Sequence, residues 1–302
     1  MTPSHPLHGL VAAVHTPFHP DGSLRLQAVE AQAAHLVRNG VGVAFIGGST
    51  GESASLTLQE RLDLARRWFE VVRGTSLRVV VHVGGNCLED ARALAAQAGQ
   101  LGAAAISALA PSYFKPRSVD VLVECCAHIA AAAPATPFYY YDIPALTGIH
   151  LSSSEFLQRA PGRIPTLVGL KYTNPDLMTY QQCLRTGMDV PFGMDEHLLG
   201  ALAMGARSAV GSGFNFAAPI YQRLLAAFAR GDLESARVEQ FRGTEVIRVL
   251  AKRGYMGSAK ALMGMLGVEV GPSRLPNPAL SAEESRALRG DLEGLGFFDW
   301  IA

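Results

Sequence analysis

One lysine of the chain lies where an amine could react with a carbonyl group. Lys171 follows the apolar run 167–170 directly, within the sequence GLKYT at 169–173. Burial disfavours a charged ammonium, and the neutral amine is the form that attacks a carbonyl carbon to give an imine. The same position also suits a structural ion pair or a side chain whose charged end reaches solvent. We treat Lys171 as the candidate Schiff-base residue and Thr173, at the end of the same run, as a candidate substrate contact.

A run of three tyrosines ends another apolar stretch, in the sequence FYYYDIP at 138–144. Side chains on a strand alternate between its two faces, so Tyr139 and Tyr141 share a face and Tyr140 lies on the other. A phenol that points into a site could transfer protons to and from a substrate oxygen, although clustered aromatic residues are also typical of packing. Pro144 would end the strand.

A glycine-rich segment, GGSTGES at 47–53, follows a third apolar run. Its glycines would let backbone N–H groups, together with Ser49 and Thr50, approach an anion such as a carboxylate closely. The segment lacks the GxxxxGK[ST] pattern of a nucleotide-binding loop, and it could also be a simple tight turn.

Two further runs end in polar residues, DEH at 195–197 and GSGFN at 211–215. Asp195 and Glu196 could bind a metal, but adjacent residues on a strand point in opposite directions and no second cluster with ligand spacing is present. Hydrogen bonds to substrate hydroxyls, or a helix N-cap, are the preferred interpretation. His82, inside the apolar run VVVHV, is interpreted as a core histidine without a role in the mechanism.

These residues follow short apolar runs that alternate with segments of helical period, which is typical of a parallel sheet covered by helices. Eight runs are predicted as strands: 10–18, 43–48, 78–85, 104–111, 137–144, 167–173, 190–196 and 208–215. The clearest helix is predicted over 56–72, with an apolar stripe of Leu58, Leu62, Ala65 and Phe69 that would face the strands. We therefore predict an α/β fold, a (β/α)8 TIM barrel, whose site lies at the C-terminal ends of the strands.

The eight predicted units end near Gly231 in this chain of 302 residues. The remainder, 232–302, is rich in helix formers and contains no convincing strand pair. No linker or low-complexity segment separates the two parts. We expect a barrel domain over 1–231 and a helical extension over 232–302 that packs on the barrel.

Composition limits the class of partner and the compartment. Lys plus Arg and Asp plus Glu both number 26, so the net charge gives no sign of a surface built for nucleic acid or anionic lipid. Charged residues make up 17% of the chain, below the roughly 25% typical of soluble domains, so we expect an oligomer that buries part of this surface.

The start of the chain, MTPSHPLHGL, has no basic segment followed by an apolar stretch, and no long apolar run occurs later. We expect a protein that is neither secreted nor membrane-spanning. The four cysteines show no CxxC spacing, which suits neither a disulfide framework nor a zinc site. A reducing cytoplasm fits best.

Four motifs in order, GGSTGES at 47–53, YYYDIPALTG at 139–148, GLKYTNPDL at 169–177 and GMDEHLLGALAMGA at 193–206, resemble the N-acetylneuraminate lyase and dihydrodipicolinate synthase superfamily. The likeness covers nearly the whole chain, and the last three motifs look most like the lyases. The resemblance implies a class I aldolase, commonly a homotetramer without metal or other cofactor, that cleaves N-acetylneuraminate to pyruvate and N-acetylmannosamine.

Residue roles follow from the same resemblance. Lys171 matches the Schiff-base lysine and Tyr141 the proton-relaying tyrosine, while Ser49 and Thr50 match the loop that holds the pyruvate carboxylate, with Thr50 bracing Tyr141. Tyr113 matches a tyrosine that can reach the site of a neighbouring subunit. Positions matched to binding of the sugar-derived chain are Gly193, Asp195, Glu196, Gly211 and Ser212.

Some positions depart from the lyase pattern or bear on rival activities. Gly213 stands where lyases often have a hydroxyl residue, and Asp142 replaces the more usual Asn or His, so both put the preferred sugar acid in doubt. A dihydrodipicolinate synthase usually has an arginine at the position of Leu146, and leucine cannot grip a second carboxylate. The chain could also be another sugar-acid aldolase, or a catalytically silent barrel that only binds a 2-oxo acid.

Overall fold

Seven short parallel strands form a barrel. Hydrogen-bonded ladders join each strand to the next, except at one place between the first and last strands of the sheet. The computed structural model describes residues 7–302. Residues 1–6, with which both the predicted barrel domain and the MTPSHPLHGL segment begin, lie outside the described residues. The strands are β1 (Gly9–Ala13), β2 (Val43–Ile46), β3 (Arg78–His82), β4 (Ala105–Leu109), β5 (Phe138–Asp142), β6 (Leu167–Tyr172) and β7 (Ser208–Gly211). Their order around the sheet is β6-β5-β4-β3-β2-β1-β7.

The seventh predicted strand, 190–196, occupies the expected position between β6 and β7, but it pairs with them only through isolated bridges and not in a continuous ladder. We call residues 189–193 the seam segment. The N–H of Tyr172 donates to Pro191 O at 2.9 Å on one side, and the N–H of Phe192 donates to Ser208 O at 3.0 Å on the other. A regular ladder is interrupted because Pro191 has no N–H to donate. The (β/α)8 prediction is thus confirmed as a TIM-barrel fold, with one wall closed by the seam segment.

Helices cover the outside of the barrel. They are α1 (Ala28–Arg38), α2 (Leu58–Val72), α3 (Leu88–Gln100), α4 (Val119–Ala130), α5 (Pro144–Thr147), α6 (Ser153–Arg159), α7 (Leu177–Leu184), α8 (Leu198–Met204), α9 (Ala218–Ala229), α10 (Leu233–Ala251), α11 (Tyr255–Met265), α12 (Ala282–Leu295) and α13 (Phe297–Ile301). None of the helices described over residues 7–302 has the length and apolar character that a bilayer crossing requires.

Helix α2 shows how local sequence sets an element. Thr57 caps it by accepting a hydrogen bond from the Glu60 N–H, and the Glu60 side chain accepts one from Thr57 N–H in return. The buried face is centred on Leu64, Ala65 and Trp68. The predicted stripe was therefore rotated: Ala65 is buried, whereas its other members, Leu58, Leu62 and Phe69, are partly buried at the edges.

Alternation along β5 separates two apolar layers. Tyr139 and Tyr141 belong to the cluster that fills the inside of the barrel. Tyr140 lies in the outer layer, where its ring packs 4.6 Å from the ring of Phe156 on α6. The prediction that only Tyr139 and Tyr141 point inward is confirmed.

The last part of the chain, 232–302, consists of helices α10 to α13 and irregular segments, with no strand. Helix α10 packs along α9 and against the short 3₁₀ turn Asp195–His197, which follows the seam segment. The extension therefore touches the barrel at the end where the strands finish.

Candidate active site

A cavity of about 280 Å³ opens at the C-terminal ends of the strands. All of the site residues proposed from the sequence line it except Tyr113: Ser49, Thr50, Tyr141, Lys171, Thr173, Gly193, Asp195, Glu196, Gly211 and Ser212. They come from five separate parts of the chain, which parallel strands bring to one edge of the barrel.

Lys171 lies near the end of β6 and is 5% exposed. Its Nζ lies 4.0 Å from the centre of the Tyr141 ring and 4.5 Å from that of Phe45. No ion pair joins Lys171 to another residue of the described chain, so the structure does not support a role for Lys171 in a structural ion pair there. An amine in this setting is partly desolvated and faces the cavity, as imine chemistry requires.

Tyr141 points into the same space from β5. Its hydroxyl lies 3.4 Å from Ser49 Oγ. The sequence suggested Thr50 as the brace of this phenol, but in the structure the hydroxyl within hydrogen-bonding distance belongs to Ser49. The phenol and the amine therefore face each other beside the glycine-rich segment.

The glycine-rich segment, residues 47–53, is termed the carboxylate loop after the role that the sequence predicts for it. Gly47 has φ of +62°, and a Cβ at Gly48 would lie 2.6 Å from the Phe45 ring, so side chains are disfavoured at both positions. Two side chains of the barrel contact carbonyl groups of the loop and hold it in place. Thr16 Oγ1 donates to Gly51 O at 2.6 Å, and His82 Nδ1 lies 2.9 Å from Gly47 O.

His82 has a structural use that sequence reasoning missed. It is buried inside the barrel, and burial, reinforced by the charge of Arg61, holds the pKa of the imidazole well below its ordinary value. The ring is therefore neutral at pH 7, and Nδ1–H can donate to the carbonyl of Gly47. Only the pairing of β3 with β2 brings this histidine to the start of the carboxylate loop, so no sequence signal could have revealed the contact.

Asp195 is buried in a cradle of glycines. Its Oδ2 accepts a hydrogen bond from Gly213 N at 2.6 Å. A Cβ at Gly211 would lie 1.7 Å from Oδ1, and one at Gly213 would lie 2.7 Å from Oδ2, so the absence of side chains makes room for the carboxyl group. Burial raises the pKa of Asp195 to about 7, and the neighbouring charge of Glu196 adds to this shift.

Asp195 and Glu196 both line the cavity, although adjacent residues of a strand would point apart. That expectation was wrong because Asp195–His197 is a 3₁₀ turn and not the end of a strand. Within residues 7–302, no three His, Cys, Asp or Glu side chains come together as a possible metal site. The two carboxyl groups are placed to accept hydrogen bonds from hydroxyls of a bound molecule.

The helical extension supplies lining residues that the sequence did not indicate. Tyr255, the first residue of α11, places its hydroxyl 2.7 Å from Ser212 Oγ, and Ile247 of α10 lines the cavity beside it. Gln240 Nε2 donates to Asp195 O at 3.1 Å. Helical periodicity shows which face of a helix is apolar but not which residues reach a distant loop, so these contacts could not be predicted from the sequence.

The two departures from the lyase pattern have different surroundings. At Gly213 the space for a side chain is filled by Asp195 and by Tyr221, whose hydroxyl would lie 3.4 Å from a Cβ. Asp142 points away from the cavity, on the face of β5 opposite Tyr141, and Asn174 Nδ2 lies 3.5 Å from its Oδ2. Burial raises the pKa of Asp142 to about 6. Asp142 therefore does not line the cavity itself.

Two surface residues lie outside the cavity. Tyr113 is 79% exposed on the segment that follows β4, where its ring packs edge-on against Phe114 at 5.0 Å. Leu146 is 66% exposed on the short helix α5. Neither lines the site within one chain.

At its strand ends, this TIM barrel brings together a buried lysine, a phenol, the carboxylate loop and two carboxyl groups. Such an arrangement is typical of an enzyme that acts on a small polar carbonyl compound. The chain belongs to the dihydrodipicolinate synthetase family, whose model matches residues 6–295. This confirms the resemblance drawn from the four motifs.

Individual relatives point in the same direction. The chain is 39% identical to an N-acetylneuraminate lyase of Gallus gallus, over 98% of each chain, and 36% identical to one of Homo sapiens, over 99% of this chain and 95% of that protein. Among solved structures, Proteus mirabilis N-acetylneuraminate lyase superposes with a TM-score of 0.94 at 38% identity, covering 97% of this chain and all of that one (100%). A dihydrodipicolinate synthase from Cyanidioschyzon merolae superposes with a TM-score of 0.88 at 30% identity, covering 96% of this chain and 98% of that one.

Proposed function

We propose that the protein is a Schiff-base (class I) aldolase that reversibly cleaves N-acetylneuraminate to pyruvate and N-acetylmannosamine. The observation that carries the proposal is the buried Lys171, which faces the Tyr141 ring at 4.0 Å in a cavity bordered by the carboxylate loop. Full-length relatives named N-acetylneuraminate lyase support the choice of substrate.

The first half of the reaction takes place at Lys171. The neutral amine attacks the ketone carbon of the substrate, and loss of water gives a protonated imine whose carbon lies next to the carboxylate. The N–H groups of the carboxylate loop, with the hydroxyls of Ser49 and Thr50, hold that carboxylate and so fix the orientation of the bond to be broken.

Bond cleavage then needs a base and an electron acceptor. Tyr141, with help from the carboxylate of the substrate, accepts the proton of the hydroxyl that becomes the aldehyde. The electron pair of the breaking carbon–carbon bond moves into the imine to give an enamine, so no metal is required to store the charge. Protonation of the enamine carbon and hydrolysis of the imine release pyruvate and restore the free amine.

The sugar-derived tail lies against the residues that follow the seam segment and β7. Asp195, Glu196 and Ser212 are placed to hydrogen-bond its hydroxyls, and Thr173, Gly193 and Gly211 line the same cavity. These contacts are made by residues that follow the seam segment and β7, whereas the reacting amine belongs to β6, so we expect them to contribute to binding of the tail and not to imine formation with pyruvate.

We propose a cytoplasmic homotetramer in which Tyr113 of one subunit reaches the site of another. The exposed pair Tyr113 and Phe114, at 79% and 86% exposure, and the charged fraction of only 17% support burial of this surface between subunits. We also propose that the barrel (1–231) and the helical extension (232–302) form one functional unit, because Ile247 and Tyr255 complete the cavity.

Trapping of the imine tests the proposal. The protein is treated with pyruvate and borohydride, and the modified peptide is located by mass spectrometry. We expect a stable adduct on Lys171 and none in Lys171→Ala. An adduct on another residue, or a Lys171→Ala variant with full activity, contradicts the mechanism.

The substrate is tested separately, by measuring pyruvate release from a small panel of 2-oxo sugar acids. Release from N-acetylneuraminate is expected. Condensation of pyruvate with aspartate semialdehyde in its place would favour the synthase activity and show that Leu146 has been misinterpreted. Trapping without turnover of any panel member would leave a 2-oxo-acid-binding barrel.

A further inference from the structure

Near its end, the carboxylate loop contains a residue in a conformation that side chains rarely adopt. Glu52 has φ of 54° and ψ of 36°, and it is the one residue other than glycine with positive φ between residues 7 and 302. Left-handed backbone costs energy at a residue with a Cβ, so it persists where the surroundings fix it. Other residues must therefore hold Glu52 in this conformation, two positions after Thr50.

The surroundings that fix Glu52 belong to the helical extension. Its Oε1 lies 2.8 Å from Nζ of Lys260 on α11, and its Oε2 accepts a hydrogen bond from Arg274 N at 2.9 Å. The two charged side chains are 0% and 1% exposed. A buried pair of this kind requires close geometry, because neither charge has water as an alternative partner.

Other groups besides Glu52 fix the position of the Lys260 ammonium. Its Nζ donates to Pro272 O at 2.7 Å and lies 4.2 Å from the centre of the Phe18 ring. Burial lowers the pKa of Lys260 to about 8, and the charge of Glu52 opposes that shift. The ammonium therefore has three fixed neighbours, and its position does not depend on a flexible partner.

Arg274 ties the same extension to the far side of the loop. Its Nη1 donates to Ser55 O at 2.8 Å, in the turn that follows the carboxylate loop, and its guanidinium also pairs with Glu60 near the start of α2. Since Thr16 and His82 hold the other parts of the loop from within the barrel, the extension supplies the support at its last residues.

We propose that Glu52 and Lys260 are positioning residues whose buried ion pair sets the carboxylate loop in the shape that binds the carboxylate of pyruvate. Neither side chain lines the cavity, so the pair acts through the backbone that joins Glu52 to Thr50 and Ser49. The proposal rests on the proposed function in one respect, that the loop is where the carboxylate binds. It makes the helical extension part of the machinery for binding pyruvate, as well as a cover for the sugar tail.

The test uses the full chain and a double variant, Glu52→Gln with Lys260→Met, which removes both charges and keeps the length of both side chains. Borohydride trapping on Lys171 is measured against the concentration of pyruvate and, separately, of methyl pyruvate, which has the ketone but no carboxylate charge. The matched control is Arg253→Met with Asp291→Asn, which removes another ion pair of the extension, at 2.9 Å, that does not contact the loop.

We expect the half-saturating pyruvate concentration of the double variant to rise about tenfold or more, with the trapping rate at saturation within about threefold of wild type. Half-saturation by methyl pyruvate should be unchanged, since the loop gives an ester little to bind. The control pair should leave both substrates unaffected. This division between the two ketones is a result that general loosening of the fold would not give.

Several results overturn the proposal. Unchanged half-saturation by pyruvate shows that the pair does not position the loop, and an equal loss with pyruvate and methyl pyruvate shows that its role is only structural. If the double variant does not fold, Glu52→Gln alone, which keeps an acceptor for Lys260, is judged by the same two criteria. Absence of trapping in the wild-type protein refutes the proposed function instead, so the two failures are distinguishable.

Discussion

Gly211→Ala is expected to disable binding of the sugar tail while leaving the lysine chemistry intact. The new Cβ would lie 1.7 Å from Asp195 Oδ1, whereas real Cβ contacts are essentially never closer than 3.0 Å. Gly211 ends β7, where the backbone is held by its ladder with β1, so the carboxyl group must yield by about 1 Å or more. That movement breaks the 2.6 Å hydrogen bond from Gly213 N and takes Asp195 out of its cradle.

The magnitude follows from the bonds that are lost. At pH 8, above the raised pKa of about 7, Asp195 is mostly ionised, and a hydrogen bond that involves a charged group contributes about 1.5 to 3 kcal/mol. Each factor of ten in kcat/KM corresponds to about 1.4 kcal/mol, so loss of one such contact to the substrate lowers kcat/KM for N-acetylneuraminate by roughly 10- to 150-fold. We expect borohydride trapping of pyruvate on Lys171 to remain within about threefold of wild type, since the atoms that the new Cβ meets belong to Asp195 and not to Lys171.

The assay compares pyruvate release from N-acetylneuraminate with pyruvate trapping in the same preparations. Gly290→Ala is the matched control, because a Cβ at Gly290, on the surface of α12, meets nothing within 4 Å. A Gly211→Ala enzyme whose kcat/KM stays within threefold of the control would show that the position of Asp195 is irrelevant to the tail. A loss of trapping equal to the loss of cleavage would show that the whole barrel end has been disturbed.

Three further predictions concern single side chains. Tyr141→Phe should keep most imine formation and lose roughly 10²- to 10⁴-fold in turnover, with Tyr140→Phe, in the outer layer, as the control; a change under threefold would return Tyr141 to packing. Glu196→Ala should lower kcat/KM for N-acetylneuraminate by roughly 10-fold or more with trapping unchanged, and an equal effect on both would contradict a role confined to the tail. The raised pKa of Asp142, about 6, means that the native state keeps a proton that the unfolded chain loses above about pH 4, so stability falls as pH rises towards 6. The free energy of unfolding of Asp142→Asn, measured with urea, should therefore exceed that of wild type by up to about 3 kcal/mol at pH 8 and match it near pH 4. The exposed Asp299→Asn is the control and should show no such gain. An unchanged free energy of unfolding for Asp142→Asn at pH 8 would contradict the raised pKa.

Much of the fold could be predicted because alternating apolar runs and helical segments leave few architectures open. The C-terminal ends of the strands were predicted too long: β2 ends at Ile46 and not at Gly48, for example. Apolar and small residues continue into the loops there, and sequence alone does not show where the ladder stops. The seam segment was predicted as a full strand because its composition is that of one, while the effect of Pro191 depends on its neighbours.

The site could be predicted where chemistry and strand ends coincide, as they do at Lys171 and Tyr141. Contacts between distant parts of the chain were out of reach. Tyr255 meets Ser212, and Lys260 meets Glu52, because the helical extension folds back over the barrel. Nothing in the local pattern around either residue distinguishes it from an ordinary helical position.

The seam segment divides the barrel into walls of different stiffness. The wall that holds Lys171 and Tyr141 is made by β5 and β6, whose parallel ladder runs from Phe138 to Asp142. The wall that precedes Asp195 lacks the hydrogen bond that Pro191 cannot donate to β6, and it bonds to β7 through the backbone of Phe192 alone, so we expect its amides to exchange with deuterium sooner than those of β6. A stiff wall therefore keeps the reacting groups aligned, while a compliant wall can absorb insertions or substitutions that fit a longer or shorter aldehyde. Directed evolution towards new aldehydes should find its tolerated changes along the seam, and few along β5 and β6.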